Sequence, residues 1–311
     1  MADFSRFPVS LLSTVCHDFV DSTVVESLFS SSGMPVPSGA SVLVKPNLVS
    51  PDAFIAVTNP FLVTAVCAFL QDHGNRVICG DSPAFGSPSK VAARSGLDVM
   101  LGKIGVRVDE LDRPVPVTLP CGIRTAISQK VLEAEFIVNL PKLKAHCQMG
   151  ITAGVKNMFG TVCGFRKALA HFRHGDVKNA FPSLILELAE MLAPACNILD
   201  AVTAMHITGP VNGAPFRLNL LAASASPFAL DTAVYDLLGI SPHDRRISLW
   251  REARKRNMPA AFRKNIAYPV ALPEDFDATG FLLPEVLKPE TFNPFKLLRG
   301  RLRSFLMRFP F

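Results

Sequence analysis

Apolar and polar positions along the chain fall into short blocks with two kinds of spacing. "SVLVKPNLVS" is an apolar, β-branched run stopped by Lys45, Pro46 and Asn47, the pattern of a buried strand that ends at a loop. "NPFLVTAVCAFLQDHG" follows with apolar residues at helical spacing, Asn59 as N-cap, Pro60 at the first helical position and Gly74 as the stop. "RVICGDSP" predicts a second buried strand ending in Gly80, Asp81 and Ser82, and "SPSKVAARSGLDVMLGKIG" a second helix. A third strand is expected at "VRVDEL", a hairpin at "VPVTLPCGIRTAIS", and a further apolar strand at "EFIVNLPKLKAH", breaking at Pro141. Later, "NILDAVTAMHITGP" and "FRLNLLAASASP" predict two more strands, the second feeding the helix "PFALDTAVYDLLG". Strands alternating with helices of this length imply an α/β fold: a mostly parallel sheet with helices on both faces. The expected organisation is one large domain over residues 1–240 and a C-terminal extension over 241–311.

In such sheets ligands sit outside the carboxyl ends of the strands. That rule selects Lys45 and Asn47, Asp81 and Ser82, and Lys142, Lys144 and His146 as polar tails expected to converge on one edge. The stretch "KLKAHCQMGITAGVKNMFG" concentrates lysines, a histidine, a cysteine and an asparagine among small residues, and reads as the largest piece of a composite site. Lys142 and Lys144, two apart in extended backbone, face one side and suit an anionic group, or else form a solvated edge. Lys156 and Asn157 follow glycines whose N–H groups can also bind anions. "GFRKALAHFRHGD" adds Lys167, His171 and His174, the two histidines sharing a helical face. Asp81 has a second reading as a helix cap, and Cys147, with no acid partner near it, reads as an incidental thiol. Asp200 and Asp231 are expected as the acidic counterweight to the lysines, with Asp231 in the first turn of its helix.

Composition narrows the setting. The chain is 49% apolar and 19% charged, with a net charge of +6, much of it near the C-terminus, so nucleic acid is not an expected partner. Seven cysteines, several within apolar runs and none in a C-x-x-C pair, predict buried reduced thiols, no structural zinc and a cytoplasmic location. Neither a signal peptide nor an apolar stretch able to span a bilayer is expected. No G-x-G-x-x-G and no G-x-x-x-x-G-K-[ST] occurs, which removes the usual licence to name a nucleotide.

Four blocks then carry a resemblance: "VLVKPNLVS", "GDSPAFG", "NLPKLKAHCQMGITAGVKNMFGTVCGFRKALAH" and "ILDAVTAMHITGPVNGAPFRLNLLAASASPFALDTAVYDLLGI". In this order, over residues 42–240, they resemble the uncharacterised DUF362 family. The resemblance implies an α/β fold and a shared pocket containing Lys45, Asn47, Asp81, Lys142, Lys144, His146, Lys156, Asn157, Lys167, His171, Asp200 and Asp231. It gives no reaction. Many members carry ferredoxin-like cysteine motifs, and this chain has no cysteine after Ile240, so no intrinsic iron–sulfur cluster is expected.

Two function classes stay open. One is an enzyme acting on a small anionic substrate, with Lys144, His146 and His171 as its catalytic groups, a redox role and redox partner being suggested only by the iron–sulfur relatives. The other is a non-catalytic module that binds an anionic ligand or cofactor; the cofactor itself is unknown. The tail "KLLRGRLRSFLMRFPF" places Leu298, Leu302, Phe305, Leu306 and Phe309 on one helical stripe among arginines, which suits peripheral membrane contact through 296–311 or packing on protein.

Overall fold

A computed structural model describes residues 6–16, 20–175, 177 and 179–289. The chain enters through strands β1 (Phe7–Pro8) and β2 (Ser10–Ser13) and helix α1 (Ser22–Ser31), none of which the pattern singled out. Strand β3 (Ser41–Pro46), helix α2 (Pro60–Asp72) and strand β4 (Arg76–Asp81) form the first βα unit. The Asn59 side chain caps α2 by accepting the Phe61 N–H at 2.9 Å, and Pro60 opens the helix. The next helical pattern is two helices, α3 (Pro88–Ser95) and α4 (Leu97–Gly102). Gly96 lies between them at φ 78°, a left-handed conformation that ends one helix and starts the other.

Strand β5 (Val108–Glu110) leads to the antiparallel hairpin β6 (Pro114–Thr118) and β7 (Arg124–Ser128), then to α5 (Gln129–Glu133) and β8 (Phe136–Leu140). The chain does not leave the sheet at Pro141: it continues as β9 (Lys142–His146), which pairs with β10 (Gly150–Thr152). The expected break at Pro141 is therefore a passage from one buried strand to the next, because β11 keeps pairing alongside and the Pro141 carbonyl still accepts the Asp200 N–H at 2.9 Å. Helices α6 (Gly154–Asn157), α7 (Arg166–His174) and α8 (Ala180–Leu192) precede the long strands β11 (Cys196–His206) and β12 (Ala214–Ser224) and helix α9 (Pro227–Leu237). Residues beyond Ile240 return to the body: α10 (Ser248–Lys255) places Trp250 in the core, and β13 (Ile266–Ala267) pairs with β1.

The central sheet is mixed and mainly parallel. β5, β4, β3, β8 and β11 are neighbours in that order and all parallel, while β12 and β2 extend the far edge in antiparallel fashion. Alternation along the strands divides the apolar side chains between two cores. Leu43, Ile137 and Leu199 pack with α8 and α9, and Val42, Val44, Val138 and Ile198 pack with α1, α2 and α4. One expectation is corrected here. Phe54–Asp72 is 19 residues long and apolar enough to cross a membrane, but half of it is buried within the fold, where Leu62, Val63, Val66 and Leu70 face the sheet core. The amphipathic tail at 296–311 lies outside the described residues.

Candidate functional site

The parallel register sets Lys45 of β3 beside Asn139 of β8, and Asn139 beside Asn197 of β11. Three buried polar residues in adjacent apolar strands need partners, and they find one another. Asn157 Nδ2 donates to Asn139 Oδ1 at 2.8 Å, Asn139 Nδ2 to Asn197 Oδ1 at 2.9 Å, and Asn197 Nδ2 to the Ser224 carbonyl at 3.1 Å. At the head of this row the fully buried Lys45 ammonium donates to Asp81 Oδ1 at 2.8 Å, the Pro46 carbonyl at 3.2 Å and Asn157 Oδ1 at 3.4 Å. Asp81 Oδ2 accepts the Leu48 N–H at 2.7 Å, so Asp81 is a lysine partner and a loop anchor; Ser87 caps α3 instead.

Asn47 joins this group to the next. Its Nδ2 donates to Asn157 Oδ1 at 2.7 Å, and its Oδ1 accepts from Lys144 Nζ. Lys144 also donates to the Ala56 carbonyl at 3.4 Å. Lys142, one strand position pair away on the same face, bonds Asp200 Oδ2 at 2.7 Å, and that carboxylate oxygen also accepts the Asn59 N–H at 2.9 Å. The loop 47–59 thus spans the cluster, held further by Thr58 Oγ1, which accepts the Asn47 N–H and donates to the Leu140 carbonyl. On the flank, Lys167 of α7 donates to the carbonyl and hydroxyl of Ser82 and to the Pro83 carbonyl.

The electrostatics follow from this crowding. Burial holds Lys144 down to about 7, helped by the charges of Lys156, Lys45 and Lys142 and opposed by Asp81. Burial, then Lys156, Lys144 and His171, hold His146 well below its usual value, so its ring is neutral at pH 7. His146 Nδ1 accepts the Gln148 N–H at 3.2 Å, which leaves the ring proton on Nε2. Lys167 is lowered to about 8, chiefly by burial of its ammonium. The Lys156 ammonium sits 4.4 Å from the Phe159 ring centroid, and the His171 ring packs at 4.1 Å on Phe181 and 5.8 Å on Phe159. His174, on the same helix, is half-buried and is lowered mainly by burial.

Asp231 does not meet a lysine. It lies in the second turn of α9, and its carboxylate accepts the N–H groups of Gly154, at 2.6 Å, and of Val155, so it caps α6. The backbone N–H groups expected to face an anion are thereby occupied from within the chain. Burial pushes Asp231 up to about 7 against these bonds and one from Tyr235. Asn139, Asn197, Tyr235 and Gly160 were not anticipated. The first two were detectable as polar letters inside the apolar runs "FIVNL" and "CNIL". A Cβ on Gly160 would lie 2.5 Å from Asp81 Oδ1 and 2.6 Å from Lys45 Nζ, so glycine lets the backbone close over that ion pair.

An open groove of about 830 Å³ lies elsewhere, lined by Asp236, Tyr268, Glu274, Asp275 and Asp277, and its charge is wrong for an anion. Among the described residues no group of three or more His, Cys, Asp or Glu could hold a metal. All seven cysteines are free thiols.

The chain is 34% identical over 290 residues to a thylakoid-associated protein of Synechocystis sp., covering 92% of this chain and 89% of that protein. Among solved structures, the lactate racemase apoprotein of Thermoanaerobacterium thermosaccharolyticum matches with a TM-score of 0.48 at 13% identity, over 77% of this chain. The match spans 59% of the racemase chain. Residues 42–236, which hold every residue of the cluster described above, match the family described as a domain of unknown function, and the chain belongs to that family, DUF362.

Proposed function

We propose that the protein is an enzyme acting on a small anionic substrate at the cluster formed by Lys45, Asn47, Lys142, Lys144, His146 and Lys156. The observation that carries the reading is an imbalance of buried charge. Lys45 and Lys142 have carboxylate partners in Asp81 and Asp200, whereas the buried Lys144 and the ammonium of Lys167 are held by neutral oxygens only. A proton on such a buried amine is costly, and an anion supplied from solution offsets the charge whenever the amine carries it. A lysine titrating near pH 7 supplies proton transfer under ordinary conditions, with the Nε2–H of a neutral histidine beside it as hydrogen-bond donor.

A non-catalytic anion-binding module is the second reading. Its support is the completeness of the bonding around Lys45 and Lys167, each with three oxygen acceptors, which suits a rigid receptor. The name of the cyanobacterial relative favours work at a membrane surface, with the tail at 296–311 as the contact.

Thermal unfolding in inorganic phosphate and in pyruvate, against chloride at equal ionic strength, tests the anion site. Ligand at about 100 Kd adds about 2.7 kcal/mol and raises Tm by several degrees. Lys144→Met is expected to lose that rise. Equal Tm values in all three salts would remove the proposal.

A further inference from the structure

The lysines of the cluster differ in how many oxygens receive their protons. Lys45 has three acceptors, Asp81 Oδ1, the Pro46 carbonyl and Asn157 Oδ1, one for each N–H of an ammonium. Lys167 also has three, two on Ser82 and one on Pro83. Lys142 has a carboxylate. Lys144 alone in this set has two acceptors among the described residues, both neutral: Asn47 Oδ1 and the Ala56 carbonyl. Two acceptors match the two N–H bonds of a free amine and leave its lone pair unengaged. The surroundings favour that form, since burial and the neighbouring lysines lower Lys144 to about 7. His146 follows two residues along the same strand face, with Nδ1 occupied by the Gln148 N–H and Nε2–H available.

We infer that Lys144 is a nucleophile that condenses with the carbonyl carbon of an anionic carbonyl compound, an oxo acid, to give an imine. This deepens the anion-site reading and rests on it. The lone pair of Nζ forms the C–N bond while the π pair of the carbonyl moves to oxygen. The carbinolamine then loses water, its oxygen leaving with the two hydrogens that the amine carried, and the lone pair on nitrogen closes the C=N bond. The two protons leave nitrogen for that oxygen while His146 Nε2–H donates a hydrogen bond that orients it, so the step is redox-neutral and needs no co-reactant. Lys142, two residues back on the same strand face and bonded among the described residues to Asp200 Oδ2 alone, is the lysine that holds the carboxylate of the oxo acid.

The full chain incubated with pyruvate and sodium borohydride tests this, the hydride reducing the imine to a stable secondary amine. The expected result is one reduced adduct per chain, mapped by peptide mass spectrometry to Lys144, with a labelling rate that rises as pH passes through about 7. Mapping in the unaltered chain does not depend on any variant folding. Lys144→Arg has no primary amine to condense, so it is expected to lose the label. A phosphate-dependent rise in the unaltered chain with no adduct, or with adducts spread over surface lysines, overturns the imine and leaves the anion site standing. No rise and no adduct defeats both.

Discussion

At the scale of single residues, the cluster makes each side chain depend on its neighbour's atoms. Gly160→Ala adds one methyl group where Asp81 Oδ1 and Lys45 Nζ already stand, at 2.5 and 2.6 Å, and both belong to a buried ion pair that would have to shift. The expected outcome is a lower Tm together with loss of phosphate-dependent stabilisation. Lys142→Met leaves the buried Asp200 carboxylate without its ammonium, and urea unfolding is expected to register a loss of about 3–5 kcal/mol. Adding Asp200→Asn should restore part of it, because a carboxamide still accepts the Asn59 N–H and carries no charge. Most of these residues were legible in the sequence as polar letters where apolar runs stop. What could not be read was which carboxylate meets which lysine, since that is fixed by strand register: Asp200 faces Lys142 because β11 and β9 pair at those positions, while Asp231 is turned to α6.

At the scale of elements, α6 is four residues long and could not persist alone, and Asp231 holds its N-terminus. This gives stability a pH dependence with a definite sign. The folded state keeps Asp231 protonated up to about 7, whereas the unfolded chain loses that proton near 3.8. The folded state therefore binds more protons between these values, and the contribution of Asp231, no more than about 4 kcal/mol, is present at acid pH and lost as pH rises through 7. Asp231→Asn is expected to flatten the pH 4–7 part of the stability profile measured by urea unfolding. Lys144 acts in a separate window: its lowered value makes stability increase from about 7 towards 10.5. The elements themselves were largely visible in the pattern, including the cap of α2 and the hairpin of β6 and β7. The strand β9 was not, because Lys142, Lys144 and His146 read as polar letters while their burial comes from neighbours that only the sheet supplies. The break between α3 and α4 rests on one left-handed glycine within a continuous helical pattern.

At the scale of the molecule, the fold class followed from strands alternating with helices, but the antiparallel edge did not, since β12 turns back beside β11 and then pairs with β2 from the start of the chain, a contact that leaves no local mark. The basic tail at 296–311 is proposed as a membrane contact separate from the site. Co-sedimentation with anionic vesicles is expected to be stronger for the full chain than for one ending at Asn293, and equal binding would rule the tail out as an anchor. The row of carboxamides has a further use. Asn47, Asn157, Asn139 and Asn197 form an unbroken relay from the loop above β3 to the carbonyl of Ser224 on β12. Asn157, Asn139 and Asn197 are buried, and the side-chain NH₂ of each should give a separate nuclear magnetic resonance signal in a nitrogen-labelled sample. A molecule that draws Lys144 away from Asn47 must reorient the first carboxamide, and the shift passes down the line. If the anion site is occupied as proposed, the signal of Asn197 is expected to shift even when the ligand has no signal of its own, and an unmoved Asn197 signal at saturating phosphate would count against a change carried along this row.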